Sequence, residues 1–325
     1  QLGMSPVPAL ERDTLPAILE KHGYATACIG KTHFVARALE DAHIAGAAPD
    51  EAVPEAFWGG FDGPYCGFSF LRHNAGHTCN GPPDAHYRSW LKRRGVDLGA
   101  IDALHRPRLE NTPGCPMPVG RWDLPAAYHQ NAFVTDEGMS WIDRQDGPWF
   151  AMLNYQDPHA PFVCPDPWFS EVDMSAVALM AARPGEMDDK PPFYASLLER
   201  FRYEDADGNP LQDDQRIASL FTYGFGDETE NAVRAYIGMV NMLDASVGRV
   251  LDHLEERGLR EDTVICFVSD HGEHLGNHGL WEKGICAYDD SQRIPAILAW
   301  PGASLPEHGR VPHHFNPVDI LPTFL

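Results

Sequence analysis

SDHGEHLGNHGLWEKG, residues 269–284, follows directly on the apolar run TVICFV at 263–268. A run so short, β-branched and unalternated predicts a strand buried on both faces, with Ser269, Asp270 and His271 at its C-terminal edge. Open α/β sheets bind their ligands at that edge. A carboxylate beside an imidazole, a glycine that permits a sharp turn, and Lys283 in the loop beyond suit a metal and a bound anion held together.

Working outward, residues 294–300 predict a further strand closed by Pro301-Gly302. Upstream, Val233, Tyr236, Ile237, Val240, Leu243, Val247, Val250, Leu251 and Leu254 keep a helical spacing, which predicts a long helix over about 230–257 that stops at Gly258. PWFAMLNY at 148–155 predicts a second buried strand, preceded by a helix over 134–144. Near the start, Leu15, Ile18 and Leu19 with Pro16 in the first turn and Gly23 at the stop predict a short helix over 14–22, and a strand follows over 24–29. Helices alternating with buried strands imply an α/β sandwich around a mainly parallel sheet. The stretches 60–120 and 164–228 break the rhythm with Gly, Pro, His, Asp and aromatic residues. Both are read as insertions over the active-site edge of a single domain covering 1–325.

Composition excludes several classes. With 325 residues and 43% hydrophobic content the chain can bury a large core, which argues against disorder. A formal net charge of −22 opposes nucleic acid and anionic membrane as partners, since both require a basic surface. No apolar stretch reaches the roughly 18 residues of a membrane span, and no basic and apolar leader opens the chain. Any signal peptide is expected upstream of residue 1, so a periplasmic or secreted location and a cytoplasmic one both stay open. The seven cysteines are scattered and show no CxxC pair, which disfavours a zinc knuckle or a disulfide scaffold, with a Cys66–Cys79 bridge left open. Oligomeric state is not legible.

Four polar segments lie just beyond predicted strands: Gly30-Lys31-Thr32-His33, Asp157-Pro158-His159, Asp270-His271 and Lys283-Gly284. All are expected to gather at one sheet edge. Lysines and histidines at neighbouring strand ends suit capture of a tetrahedral oxyanion whose leaving group must be protonated. At about 4 Å and an effective dielectric near 20, each lysine–anion contact is worth roughly 4 kcal/mol before desolvation, so a few of them outweigh an acidic exterior.

With those residues identified, a resemblance becomes specific. GYATACIGKTHF (23–34) resembles the GYxTxxxGKxH motif of sulfatases in the alkaline phosphatase superfamily. DPHAPF (157–162), SDHGEHLGNHGLWEKG (269–284) and VDILPTFL (318–325) are similar to three further segments of that family, in the same order. The resemblance implies an alkaline-phosphatase-like sandwich and a hydrolase acting on a sulfate ester, either a small molecule or a glycan. It implies that Asp270 and His271 bind a divalent metal and that Lys31 and Lys283 hold sulfate oxygens. It also implies that His33 contacts the nucleophile and that His159 touches the sulfate near the leaving oxygen. Calcium is the metal the family points to, while the imidazole at 271 also admits manganese or zinc, and carboxylate ligation admits magnesium.

In the family the nucleophile is formylglycine, made from a cysteine or serine in a C/S-x-P/A-S/T-R motif. None of the seven cysteines here begins one: Cys28 precedes Ile-Gly-Lys, Cys115 precedes Pro-Met-Pro and Cys164 precedes Pro-Asp-Pro. The nucleophile and the remaining acidic metal ligands are therefore expected upstream of Gln1, with a terminal subdomain beyond Leu325, and the 325 residues alone are expected to be inactive. Many sulfatases carry asparagine at the position of His271, which keeps open a phosphonate monoester or phosphodiester hydrolase on the same framework. A non-catalytic relative that binds sulfated glycans is the other alternative. His274 and His278 are read as surface or supporting residues, Asp244 as a helix residue, and Tyr65, Phe68, Trp90 and Trp168 as packing. His73, His77 and His129 are read as structural, with pocket lining as the alternative.

Overall fold

The computed structural model describes residues 14–32, 34, 41–42, 44–46, 53–74, 83–104, 118–186, 188–192, 194, 228–283, 287–303, 309–311 and 314–325. His33, His77 and Gly284 lie outside the described residues, as does all of 195–227.

Helix α1 (Leu15–Lys21) begins where the Thr14 hydroxyl accepts the Ala17 N–H, with Pro16 in its first turn. It delivers the chain into β1 (Ala25–Gly30), where every residue after Ala25 is buried. Helix α2 (Glu55–Gly60) and strand β2 (Phe70–His73) follow, then α3 (Ala85–Arg93) and α4 (Leu98–Leu104). Strand β3 (Gly120–Trp122), α5 (Gln130–Ile142) and β4 (Trp149–Asn154) come next. The chain then forms β5 (Val163–Pro165), the 28-residue α6 (Thr229–Glu256), β6 (Ile265–Val268), α7 (Asp289–Gln292), β7 (Ala296–Ala299) and α8 (Ile320–Phe324).

The fold is α/β with a parallel sheet at its centre. Strand β1 is the middle of three parallel strands in the order β2-β1-β4, and Gly30 aligns with both His73 and Asn154. All three strands therefore end at the same level, which puts Lys31, Asn74 and Tyr155 along one edge. A second parallel pair joins β3 to β5, and β6 pairs antiparallel with β7. The main core lies between the sheet and its helices, with Ala27, Ile29, Tyr87, Trp90, Leu91, Phe133, Trp141 and Leu254 together.

Residues 70–73 and 85–93, inside the stretch expected to lie over the site edge, supply a sheet strand and a core helix. Tyr87 and Leu91 of α3 are fully buried. Two expectations change. The run at 263–268 is not buried on both faces: Cys266 is exposed, and Ile297, the partner of Phe267, is 63% exposed. Only Ile265 packs against the main core, because the pair lies as a separate two-stranded ribbon among the described residues. Along α6 the buried face keeps Val233 and Leu254 of the expected set and adds Ala232, Ala235, Met239, Met242 and Ser246, whereas Val240 is 41% exposed. Gly238, where a Cβ would lie 2.9 Å from Cys164 Sγ, lets this helix approach β5 closely and turns the buried face toward its small residues.

Candidate active site

The first part of the site is the turn out of β1. Gly30 has φ +113, and a Cβ there would lie 2.1 Å from the Asn154 carbonyl oxygen, so only glycine fits. Asn154 exploits that closeness. Its carbonyl accepts the Lys31 N–H at 3.1 Å, and its side-chain amide donates to the Lys31 carbonyl at 3.0 Å. Lys31 is thus held at both backbone groups by the neighbouring strand.

The second part is the loop after β4. The His159 N–H donates to the Gln156 carbonyl at 3.0 Å, and Nδ1 of His159 donates to the Ala160 carbonyl at 2.6 Å. That bond fixes the proton on Nδ1 and leaves Nε2 as a lone pair. Lys283 Nζ lies 3.0 Å from Nε2 and donates to it. Burial first, then the charges of Lys283, Lys31 and His271, push the imidazole's pKa down to about 3. Lys31, His271 and Lys283, far apart in the sequence, are therefore each close enough to act electrostatically on His159.

Asp270 and His271 form the third part. The Asp270 carboxylate is exposed. Its Oδ1 accepts the His271 N–H at 3.0 Å, and Oδ2 is 3.6 Å from His271 Nε2. Nδ1 of His271 donates to the Gly272 carbonyl at 2.8 Å, which turns its Nε2 toward the carboxylate. One carboxylate and one imidazole side by side fit part of a divalent cation's donor set. Among the described residues no group of three His, Cys, Asp or Glu side chains completes it. Gly272 plays a different part from the sharp turn expected of it: a Cβ there would lie 1.9 Å from the Asp290 carbonyl oxygen, so it lets helix α7 pack against the loop.

Sequence reasoning missed the support beneath His159. Asp157 is fully buried, and burial pushes its carboxyl up to about 7 despite the 3.1 Å bond from the Asn131 amide. Nε2 of His129 is 3.7 Å from the same carboxyl oxygen, and Nδ1 of His129 caps α5 by accepting the Asn131 N–H. His129 is therefore a buried structural residue, and the D-P-H-A-P-F segment was the signal that its first residue also mattered. Glu273 is likewise pushed up to about 7, chiefly by burial, with Glu282 adding to the effect and Lys283 opposing it.

The weaker candidates sort as follows. Tyr65, Phe68 and Trp90 are packed in cores, Trp168 packs against the Phe162 cluster, and Asp244 is exposed on α6. His274 is buried. His278 stacks on Tyr288 at 3.8 Å and contacts Glu186 and Asp290. His73 is fully buried.

The whole stretch 1–325 matches the family model described as Sulfatase. Among curated proteins the chain is 28% identical over 250 residues to the multifunctional alkaline phosphatase superfamily protein PehA of Trinickia caryophylli, covering 74% of this chain and 46% of that protein. It is 26% identical over 326 residues to an arylsulfatase of Clostridium perfringens, covering 96% of this chain and 58% of the relative. Among solved structures it superposes on the phosphonate monoester hydrolase of Agrobacterium radiobacter with a TM-score of 0.59 at 24% identity, covering 89% of this chain and 53% of that one. That likeness bears on the fold. The chain spans about half the length of these curated relatives.

Proposed function

The chain belongs to the sulfatase family, and from that premise we propose that it supplies the oxyanion-binding and leaving-group half of a sulfuric ester hydrolase. The observation that carries the reading is the 3.0 Å contact between Lys283 and His159 inside a field shared with Lys31 and His271. Lys31 and Lys283 bind sulfate oxygens and neutralise the charge that grows on them in the transition state. His159 enters the reaction neutral. Its Nε2 accepts from an ammonium group, so a proton lies between Nζ and Nε2 for the ester's bridging oxygen as that bond breaks.

Asp270 and His271 would hold a divalent cation, calcium in the first instance, and such an ion would polarise a sulfate oxygen. His33 is proposed to contact the nucleophile. Formylglycine, as the family resemblance implies, would supply that nucleophile; none of the seven cysteines of 1–325 opens the modification motif. The substrate class is a sulfate ester of a small molecule or a glycan, and the charge of −22 opposes nucleic acid as a partner. Among the described residues no helix is long and apolar enough to cross a membrane.

A second reading rests on His271: an imidazole beside Asp270 also fits a phosphonate monoester or phosphodiester hydrolase. Turnover of matched aryl sulfate, aryl phosphonate and diaryl phosphate by the full-length protein separates the two. A sulfatase shows the highest kcat/KM for the sulfate, lost on Lys31→Ala and Lys283→Ala. A preference for phosphonate or diester transfers the same roles to a phosphorus centre.

A further inference from the structure

Thr32, His73 and Asp41 come from three separate segments and form one line of hydrogen bonds. The Thr32 hydroxyl is 2.9 Å from His73 Nδ1, and His73 Nε2 is 3.0 Å from Asp41 Oδ1. The line runs inward from solvent: the Asp41 side chain is 39% exposed, while Thr32 is 3% and His73 0% exposed. A carboxylate only accepts, so Nε2 carries a ring proton; in the neutral ring Nδ1 is then bare, and the Thr32 hydroxyl donates to it. The exposed carboxylate thereby sets the direction of every bond down to Thr32.

The imidazole at the centre is fixed by more than this line. The His73 N–H donates to His86 Nδ1 at 2.9 Å, and His86 Nε2 donates to the Phe61 carbonyl at 2.7 Å. The Trp58 ring covers His73 at 5.6 Å. On the other side, Asn154 holds Lys31 from β4. The two residues that leave β1 are thus gripped by both neighbouring strands, Lys31 through its backbone from β4 and Thr32 through its hydroxyl from the end of β2. A hydroxyl, imidazole and carboxylate in line also describe a nucleophile with its base. Thr32 is too enclosed to meet a substrate, so the arrangement orients the turn.

We infer that Asp41, His73 and Thr32 are positioning residues that hold the β1 turn so that Lys31 presents its ammonium to the bound anion. This rests on the reading of Lys31 as an anion ligand given above. The order of effects distinguishes positioning from packing: valine keeps the β-branched volume of Thr32 and loses the hydroxyl, whereas serine keeps the hydroxyl and loses the methyl.

The test is a protein-observed NMR titration of the full-length protein with sodium sulfate, with sodium chloride holding ionic strength constant. Thr32→Val should raise the half-saturation concentration about fivefold to tenfold, the loss expected for one buried hydrogen bond, with Thr32→Ser within about twofold of wild type. The reverse order, serine weak and valine near wild type, overturns the relay. Ring ¹⁵N shifts of the unmodified chain give a second readout that needs no variant: His73 should be protonated on Nε2 and bare on Nδ1, and the opposite tautomer also overturns it. Lys31→Ala separates the two claims. If it binds sulfate as well as wild type does, or if wild type binds none, the anion-pocket reading falls and the relay's purpose with it. If it weakens binding while Thr32→Val does not, the relay alone falls.

Discussion

Replacing Lys283 by methionine keeps most of the side chain's length and removes its charge. Two consequences follow from its 3.0 Å contact with His159 Nε2. The first concerns the anion. An ammonium about 4 Å from a sulfate oxygen is worth roughly 4 kcal/mol at an effective dielectric near 20, before desolvation is subtracted. Loss of one preorganised oxyanion donor typically costs about 2.7 to 4 kcal/mol, so kcat/KM for an aryl sulfate should fall by about 10²- to 10³-fold in the full-length protein. The second consequence concerns the imidazole. His159 is held down to about 3 by burial first and Lys283 second, so Lys283→Met should raise its titration midpoint without restoring the ordinary value. The imidazole's chemical shifts, followed against pH, report that rise directly. A rate within threefold of wild type, or a His159 titration that does not move, refutes the assignment of Lys283 to this pocket.

Other outcomes follow from the same geometry. The folded-state pKa of His159 lies at about 3, below its unfolded value of 6.5, so its contribution to stability is present above pH 6.5 and lost as pH falls toward 3. Asp157 works in the opposite direction: raised from 3.8 to about 7, it contributes stability at low pH that is lost as pH rises through 7, by a few kcal/mol at most in order of magnitude. Denaturant unfolding of Asp157→Asn should therefore show a gain over wild type above pH 7 that disappears below pH 4, and a pH-independent difference would contradict the burial argument. Gly30→Ala forces a Cβ against the Asn154 carbonyl at positive φ and should cost roughly 3 kcal/mol or more, read as a lowered thermal midpoint. Asp270→Ala should abolish any calcium-dependent rise in the chain's thermal midpoint, and an unaltered calcium response would remove Asp270 from the metal site.

What the sequence made legible was local or periodic. The strands expected at 24–29 and 148–155 are found at Ala25–Gly30 and Trp149–Asn154, and the long helix expected over 230–257 at Thr229–Glu256. Apolar runs bounded by glycine and proline carry that signal in themselves. The nearness of Lys31, His271 and Lys283 to His159 was also legible, since each follows a predicted strand or lies in the loop just beyond one.

The remainder depended on tertiary approach. Strand β2 and helix α3 lie in a stretch whose glycines and prolines masked them, and their burial comes from docking beside β1. The ribbon at Ile265–Val268 reads as a fully buried strand by composition, yet its exposure is set by which strands pair with it. Gly272 and Asp157 look like turn residues; one is needed for the close approach of α7 and the other lies beneath the His159 loop. His73 gave no signal beyond being a histidine, because its partners at positions 32 and 41 meet it only once β1 and β2 are paired.

The central claim is that side chains from three separate strand ends converge on one tetrahedral anion. A crystal structure of the protein in complex with sulfate tests it most directly. The account predicts sulfate oxygens within hydrogen-bonding distance of Lys31 Nζ and Lys283 Nζ, with His159 Nε2 facing the oxygen that an ester would carry away. A sulfate bound elsewhere, with Lys31 and Lys283 directed to separate surfaces, would contradict it.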